Sequence, residues 1–548
     1  MARLLLGPIL RHVGEDEATI WVETDGPCSV GVLGCRARTF AVAGHHYALV
    51  RLGGLAPGTT TEYRVELDGD VVWPEPRSGY PPSAIRTLTG SGPIRVLFGS
   101  CRLARPHTPP YTLMPDQHDE GRGVDALAAL GEHLRRAGPD ELPDLILHLG
   151  DQVYSDEPPG PVLDLIRHRR ATVPGPAGEA VDFEEFAQLY LDAWSEPGLR
   201  WLLSTVPNAM LFDDHDVHDD WNTSLAWREE RARLPWWRGR MTAALMTYWI
   251  YQHAGNLDLA ACAEEGLLDA LERQPADATP VLREYAERAD QGQVGARWSY
   301  RRELGCARLV VIDSRAGRVL EPGRRDMVDA EEWSWLEREL RGGTDHLLVA
   351  STLPVLLPPS LHDLEAWNER MCDGAMGPRA AAWSERLRQD LDLEHWAAFE
   401  AGFHPLVALL REVAAGERGR APATISLLGG DVHFGYVAEV EQPAGESPIR
   451  QVVASPLRNR LDRTKATVLR AGLSPGARVL TRTLADLAGV PRPPIRWRMA
   501  HGPWFENHVA DLSLDAAGAT LAIREAQPGS HPDLRTRLLL HLEVRPDG

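Results

Sequence analysis

Short apolar runs alternate with turn residues through the first ninety positions. Ala18 to Glu23, Ser29 to Leu33, His46 to Leu52, Thr60 to Leu67 and Val71 to Trp73 are separated by Asp25-Gly26-Pro27, Gly53-Gly54, Pro57-Gly58 and Asp68-Gly69. Strand-type runs at this spacing predict a small β-sandwich over residues 1–90. The opening Met1 to Arg11 carries one charged side chain before an apolar run broken by Gly7 and Pro8. It is too short for a secretory apolar region and has no twin arginine, so it reads as the first strand.

After the linker Thr89-Gly90-Ser91-Gly92-Pro93 the pattern changes to apolar strand, helix, apolar strand. Strands are expected at Ile94 to Phe98, Leu145 to Leu149, Ala209 to Phe212, Leu309 to Ile312, His346 to Ala350, Thr424 to Leu428, Tyr436 to Val440 and Gln451 to Ala454. Helical periodicity covers Val124 to Ala137, Phe183 to Trp194, Thr242 to Gln252, Ala330 to Leu340 and Glu394 to Val413. Residues 91–548 therefore read as one α/β domain with helical insertions at about 155–205 and 225–300. Val509 to Leu514, Ala519 to Ile523 and Leu538 to Val544 return to β character and are expected to complete a sheet edge. The aromatic-rich stretch around Trp221, Trp227, Trp236, Trp237, Trp249 and Tyr251 reads first as core packing and second as a lid or substrate wall.

Composition narrows the function. The 548 residues hold 58 basic and 78 acidic side chains, a net of −20, which argues against nucleic acid as a general partner. Six scattered cysteines make neither a disulfide framework nor a zinc knuckle and suit a reducing compartment. No stretch reaches the roughly 20 apolar residues of a membrane span, and a cytoplasmic protein is expected.

The chemistry collects where apolar strands end. Gly99-Ser100-Cys101-Arg102, Gly150-Asp151-Gln152-Val153-Tyr154, Asp213-Asp214-His215-Asp216 and Gly429-Gly430-Asp431-Val432-His433 each follow one, and in open α/β sheets the carboxyl ends of strands form the ligand crevice. Asp213 to Asp220 packs five Asp and two His into eight residues. Alone, that run is also what a solvated acidic loop looks like; beside three companion motifs, a bound cation is the economical way to hold so many like charges. Asp431 and His433 would share one face of an extended segment. Asp151 and Tyr154, three apart, would aim a carboxylate and a phenol at one point, and a phenolate ligand favours a strong Lewis acid such as ferric iron. Cys101 is open to three readings: a small buried hydrophobe, a thiolate ligand, or a phosphatase nucleophile. The last is discounted because the position five residues past an intervening loop, 107, is His rather than Arg.

Taken together these four motifs resemble the alkaline phosphatase D (PhoD-like) metallophosphatases, relatives of the purple acid phosphatases, across roughly residues 94 to 460. The resemblance implies a four-layer αββα metallophosphoesterase core holding a metal cluster, iron with calcium foremost and zinc or manganese as alternatives. The N-terminal module is similar to a fibronectin type III-like β-sandwich, on Leu55 to Tyr63. Carried over by position, Cys101, Asp151, Tyr154, Asp214, Asp431 and His433 are implied ligands, with Asp151 the bridge and His215 the acid for the leaving oxygen. Two departures stand out: Asp214 replaces the usual asparagine of metallophosphoesterases at large, and Gly430-Asp431-Val432-His433 replaces their G-H-x-H. The expected reaction is hydrolysis of phosphate monoesters by a metal-bound hydroxide, with Arg102 clamping a phosphoryl oxygen and Asp313-Ser314-Arg315 offering a second positive group. Asp216 and Asn222 are expected to position the acidic loop. The alternatives are a phosphodiesterase or phospholipase D-like activity on the same centre, a phosphate-ester sensor, and a non-catalytic metal-binding or adhesion protein.

Overall fold

Alternation along two strands decides the layering of this computed structural model, which describes residues 2–292, 297–516, 518–528 and 532–545. In Ala307–Ile312 and His346–Ser351, Leu309, Val311, Leu348 and Ala350 belong to one apolar core, whereas Val310, Ile312, Leu347 and Val349 belong to another. A strand buried on both faces reads as a continuous hydrophobic run, which is why these segments are legible without a polar alternation.

The strands sit in a seven-stranded sheet ordered Tyr300–Leu304, Ala307–Ile312, His346–Ser351, Thr424–Gly429, Ile449–Val453, Gly435–Val440, Trp497–Trp504. A second, six-stranded sheet runs Asn208–Leu211, Leu145–Leu149, Ile94–Gly99, His508–Asp515, Gly518–Gln527, Asp533–Leu542. Its first three strands are parallel, and its last three are antiparallel additions, so the C-terminal β segment extends the sheet as expected. The two sheets share one core, in which Leu309 and Leu348 join Leu147, Leu211 and Leu512. The other face of the seven-stranded sheet is covered by Trp335 and Leu336 of helix Ala330–Glu339 and by Phe403, Leu406 and Leu410 of helix Glu400–Ala415.

At the N-terminus, Leu4–Val13, Glu17–Thr24, His45–Gly53 and Phe40–Val42 form one sheet and Cys35–Arg38, Ser29–Val32, Val65–Leu67 and Asp70–Trp73 another. Leu10, Ile20 and Val50 of the first share a core with Val30, Val65 and Leu67 of the second. The expected single strand Thr60 to Leu67 is interrupted: Thr60–Glu62 pairs with Ala84–Arg86, and only Val65–Leu67 enters the second sheet. Tyr63 lies at the break, buried, with its hydroxyl donating to the Ser204 carbonyl at 2.6 Å.

Two further differences bear on the site. The helix expected from Glu394 begins at Glu400, because Glu394 and His395 are turned into the interior by ion pairs with Arg315, Arg318, Glu365 and Asp431. Helices Arg463–Gly472 and Pro475–Leu487, which are not among the expected elements, stand between the last two strands of the seven-stranded sheet in chain order. Trp221, Trp227, Trp237, Trp249 and Tyr251 are buried in the main core, as core packing requires. Among the described residues no helix is long and apolar enough to cross a membrane. Leu348 is fully buried where the sheets meet, so Leu348→Ala is expected to lower unfolding stability by about 2–5 kcal/mol, read as an earlier midpoint in urea; a midpoint unchanged from the native protein would show that the sheets do not share this core.

Candidate metal centre

Chain direction delivers the polar residues to one place. Ile94–Gly99, Leu145–Leu149 and Asn208–Leu211 run parallel in one sheet, Ala307–Ile312, His346–Ser351 and Thr424–Gly429 in the other. Cys101, Asp151, Asp213 and Asp431 each lie within two residues of such a strand's end. Cys101, Asp151, Asp431 and His433 all adopt positive φ, between 54° and 64°, a conformation that costs a non-glycine residue about 1–3 kcal/mol. Four strained residues among six expected ligands mark a place where geometry is set by function. The glycines before them permit the close approach: a Cβ on Gly430 would lie 2.4 Å from Ser100 Oγ and one on Gly150 2.5 Å from Asp213 Cβ.

The structure brings five of the six expected ligands, together with His215 and Asp213, into three linked groups whose donor atoms lie within 4.8 Å of one another: Cys101, Asp151 and His433; Asp151, Asp214 and His215; Asp213, Asp214 and Asp431. Asp151 belongs to the first two, and Asp214 joins the second to the third. Tyr154 is beside them, its hydroxyl 3.2 Å from Asp151 Oδ2 and accepting from Asn459 Nδ2 at 3.1 Å. Asp431 and His433 do not lie along an extended segment; two left-handed residues turn them to different groups.

Serines fasten the loops. Asp431 N donates to Ser100 Oγ at 2.9 Å and His433 N to Ser455 Oγ at 3.1 Å. Asp216 does the same for the acidic loop, accepting from the backbone of Asp151, Gln152, Val153 and Asp213 at 3.0–3.1 Å. Asn222 donates to the Arg315 carbonyl at 3.1 Å.

Charge is the dominant feature. Burial, with the neighbouring carboxylates, pushes Asp151 well above the ordinary carboxylate range, and burial raises Asp213 likewise against the pull of Arg315. Burial and the charges of Asp151 and Asp431 raise the Cys101 thiol; burial and Asp151 raise the Tyr154 phenol. Burial opposes ionisation of Asp431 too, but the hydrogen bond from His395 and the charge of Arg315 hold it well below its usual value. His395 in turn bridges Glu365 at 2.7 Å and Asp431 at 3.3 Å.

Whether these residues suit cations can be tested on their own atoms. Asp151 Oδ1 and Asp213 Oδ2 are buried with no hydrogen-bond donor, and Asp214 Oδ1 has only the Arg315 guanidinium at 3.4 Å. A buried carboxylate oxygen left without a donor is costly, and a cation is the partner that such oxygens in one cluster accommodate. The donor set fits: thiol, phenol and imidazole at one end, carboxylates alone at the other.

Arg102 is placed elsewhere. Its Nε donates to Asp125 Oδ2 and its Nη1 to the Ala193 carbonyl, both at 2.9 Å, and it is buried. Asp125 caps helix Ala126–Ala137, so Arg102 ties that helix to the strand end and is corrected here from a phosphoryl clamp to a structural link. The guanidinium at the cluster is that of Arg315, fully buried, donating to Asp213 and Glu394 and lying 3.4 Å from both Asp214 and Asp431. Asp313 holds its turn by accepting from the Arg315 and Ala316 N–H groups at 2.8 and 3.0 Å. His215 is half-buried, with Nδ1 2.9 Å from Asp156 Oδ1. Burial works against its proton, but Asp156 and Asp151 raise its pKa well above that of an ordinary histidine. Asp156, Glu394 and His395 escape a motif reading; only the two-residue spacing of Asp156 after Tyr154 hints at the first.

Residues 1–85 match a family described as a domain of unknown function, DUF7800, and residues 129–256 match the PhoD-like phosphatase family. No curated protein matches the chain. The solved structure of PhoD superposes with a TM-score of 0.60 at 13% identity, covering 99% of this chain and 90% of that one. The purple acid phosphatase PPD1 from yellow lupin (Lupinus luteus) seeds gives a TM-score of 0.45 at 12% identity over 94% of this chain and 71% of that one, a looser likeness on which nothing here rests. Residues 129–256, which carry Asp151, Tyr154 and the Asp213 to Asp216 turn, therefore match the PhoD-like phosphatase family, and the chain as a whole has the fold of PhoD.

Proposed function

We propose that the protein is a metal-dependent phosphoesterase that hydrolyses phosphate monoesters, with His215 as the acid for the leaving oxygen. The observation that carries this reading is the shared Asp151: one carboxylate common to two donor groups, with an oxygen lacking any donor, is what a pair of cations needs. The layering αββα is part of the same reading, supported by the core common to both sheets and the helices over the far face of one. Cys101, Asp151, Tyr154 and His433 would hold iron; Asp214 and Asp431, with Asp213, offer the all-oxygen set that suits calcium. Cations held there would supply the positive charge that polarises a phosphoryl oxygen and the acidity that activates water near neutral pH.

The chain's own groups do the rest. As water adds to phosphorus and the ester P–O bond breaks, the departing alkoxide needs a proton. Asp156 accepts at His215 Nδ1 and so fixes the ring, leaving Nε2 as the nitrogen that delivers the proton. The flanking carboxylates keep that proton on His215 until it is needed. Arg315 holds Asp213, Asp214 and Asp431 in register, and its own guanidinium is engaged by them rather than directed at substrate.

His215→Ala is expected to lower turnover of a chromogenic monoester at least about 100-fold, and Asp156→Asn to reduce it less while moving the alkaline limb of the pH profile to lower pH, because Asp156 raises the His215 pKa. A native enzyme that cleaves bis(p-nitrophenyl) phosphate faster than p-nitrophenyl phosphate would instead support the diester reading.

Metal loading should release protons, because the Cys101, Tyr154 and Asp151 groups all sit above their ordinary values without it. Apparent affinity should therefore rise with pH. Calorimetry in two buffers of different ionisation enthalpy measures the protons released, and elemental analysis with a visible spectrum should reveal a tyrosinate-to-iron band that Tyr154→Phe removes.

Arg315→Met leaves Asp213 and Asp214 buried without their guanidinium and Glu394 with Arg318 alone, an expected loss of about 3–5 kcal/mol in the metal-free protein. Added divalent cation should recover part of that loss in a melting experiment; a variant as stable as the native protein would contradict the role given to Arg315.

A further inference from the structure

We propose that the helical layer formed by Pro359–Cys372, Pro378–Asp390, Arg463–Gly472 and Pro475–Leu487 is a docking face for an anionic lipid surface. These helices share a satellite core of their own: Trp367 and Met371 pack with Ala485, Ala488 and Val490, backed by Ala380 and Leu387. The outer side is unusually apolar. Ten large hydrophobic side chains are exposed among the described residues, and seven of them belong to this layer or its flanks: Met376, Trp383, Leu391, Val468, Val479, Leu480 and Leu487. Val479 and Leu487 are 68% and 70% exposed. Leu480 and Leu487 are two turns apart and lie on one stripe, with Val479 beside it, opposite the buried Ala485 and Ala488.

Charge selects the partner. Residues 460–498 contain nine Arg and Lys and two acids, a net of +7 in a chain whose total is −20. Both acids are engaged, Asp462 as the cap of Arg463–Gly472 and Asp486 with Arg482. Lys465, Arg470, Arg478, Arg492 and Arg496 are exposed, and among the described residues they form no ion pair. Residues 359–391, the other half of the layer, hold four Arg and six acids, so the cationic part of the face is the hairpin Arg463–Leu487. There, exposed Val468, Val479, Leu480 and Leu487 stand beside cations that make no ion pair, the composition of a helix that lies in an anionic bilayer interface. A second copy of this chain fits less well: a two-fold contact would set one +7 segment against another.

The face adjoins the metal centre. Asn459, just before the first helix, donates to the Tyr154 hydroxyl at 3.1 Å, and Lys465, the only lysine in the chain, follows six residues later. Docking here brings the rim of the cluster to the lipid surface. This consequence rests on the phosphoesterase reading; the docking itself does not.

The test is flotation of the full-length protein with vesicles of phosphatidylcholine alone or with about 30% phosphatidylglycerol. Binding is expected only to the anionic vesicles and should weaken at high salt. Leu480→Glu with Leu487→Glu, and separately Arg492→Glu with Arg496→Glu, should each weaken it about tenfold, with melting temperature and turnover of a soluble ester unchanged. No binding to anionic vesicles, or binding by both variants equal to the native protein, would overturn the proposal. So would a native dimer that the same substitutions dissociate, which would assign the face to a second copy. Vesicle binding without hydrolysis of any soluble ester would sink the phosphoesterase reading and leave the docking face standing, and the reverse result would sink docking alone.

Discussion

Buried like charge is the constraint on which this molecule depends. Asp151, Asp213, Asp214, Asp216 and Glu394 are all nearly removed from solvent, and two like charges 4 Å apart repel by about 4 kcal/mol even at an effective dielectric of about 20. No fold leaves such a set uncompensated. Arg315 lies among three of them, backbone N–H groups converge on Asp216, and the remainder are driven toward their protonated forms. Cations replacing those protons would complete the same balance. The electrostatics of the cluster thus favour cations before any chemistry is considered.

Rigidity follows from where the cluster is built. Its ligands occupy left-handed backbone at strand ends, which is tolerable only if the strands cannot relax toward an easier conformation. They cannot, because the strands are buried on both faces, those of the seven-stranded sheet between the common core and a second core under helices and those of Ile94–Gly99, Leu145–Leu149 and Asn208–Leu211 within the common core itself. Ser100 and Ser455 then stitch the loop of one sheet to the loops of the other, since each contacts Cys101 and receives an N–H from the Asp431 to His433 turn. The packing energy of the sandwich thus maintains ångström-scale placement of donor atoms that local propensity would scatter.

Much of this was legible in the chain, for identifiable reasons. Strands buried on both faces advertise themselves as apolar runs, and a ligand-bearing loop after such a run has a recognisable form, so Cys101, Asp151, Tyr154, Asp214, His215, Asp431 and His433 were found together. Arg102 was misplaced because a position after a strand says nothing about which way a long side chain turns, and Asp125 offered it a buried partner. Arg315 was a minor candidate because its partners lie 79 to 116 positions away. Glu394 and His395 were hidden inside a stretch of good helical periodicity, which tertiary ion pairs override at its first six residues. Helices Arg463–Gly472 and Pro475–Leu487 were missed although their apolar residues are well segregated to one side, because they follow no strand motif and carry no candidate ligand.

The charge distribution also resolves an apparent conflict between the whole chain and its reaction. A protein of net charge −20 repels an anionic phosphate ester at long range. Yet much of the acidity that matters at the site is interior, already matched by Arg315, Arg318 and His395, and once cations satisfy the rest it presents little field to an approaching anion. The basic side chains lie outward instead, nine of them in residues 460–498. Carboxylates drawn inward and guanidinium groups turned outward keep the two signs apart within one fold. That arrangement needs the two sheets to bury the acids and a solvent-facing helical hairpin to carry the bases, and the fold supplies both around the same strand ends.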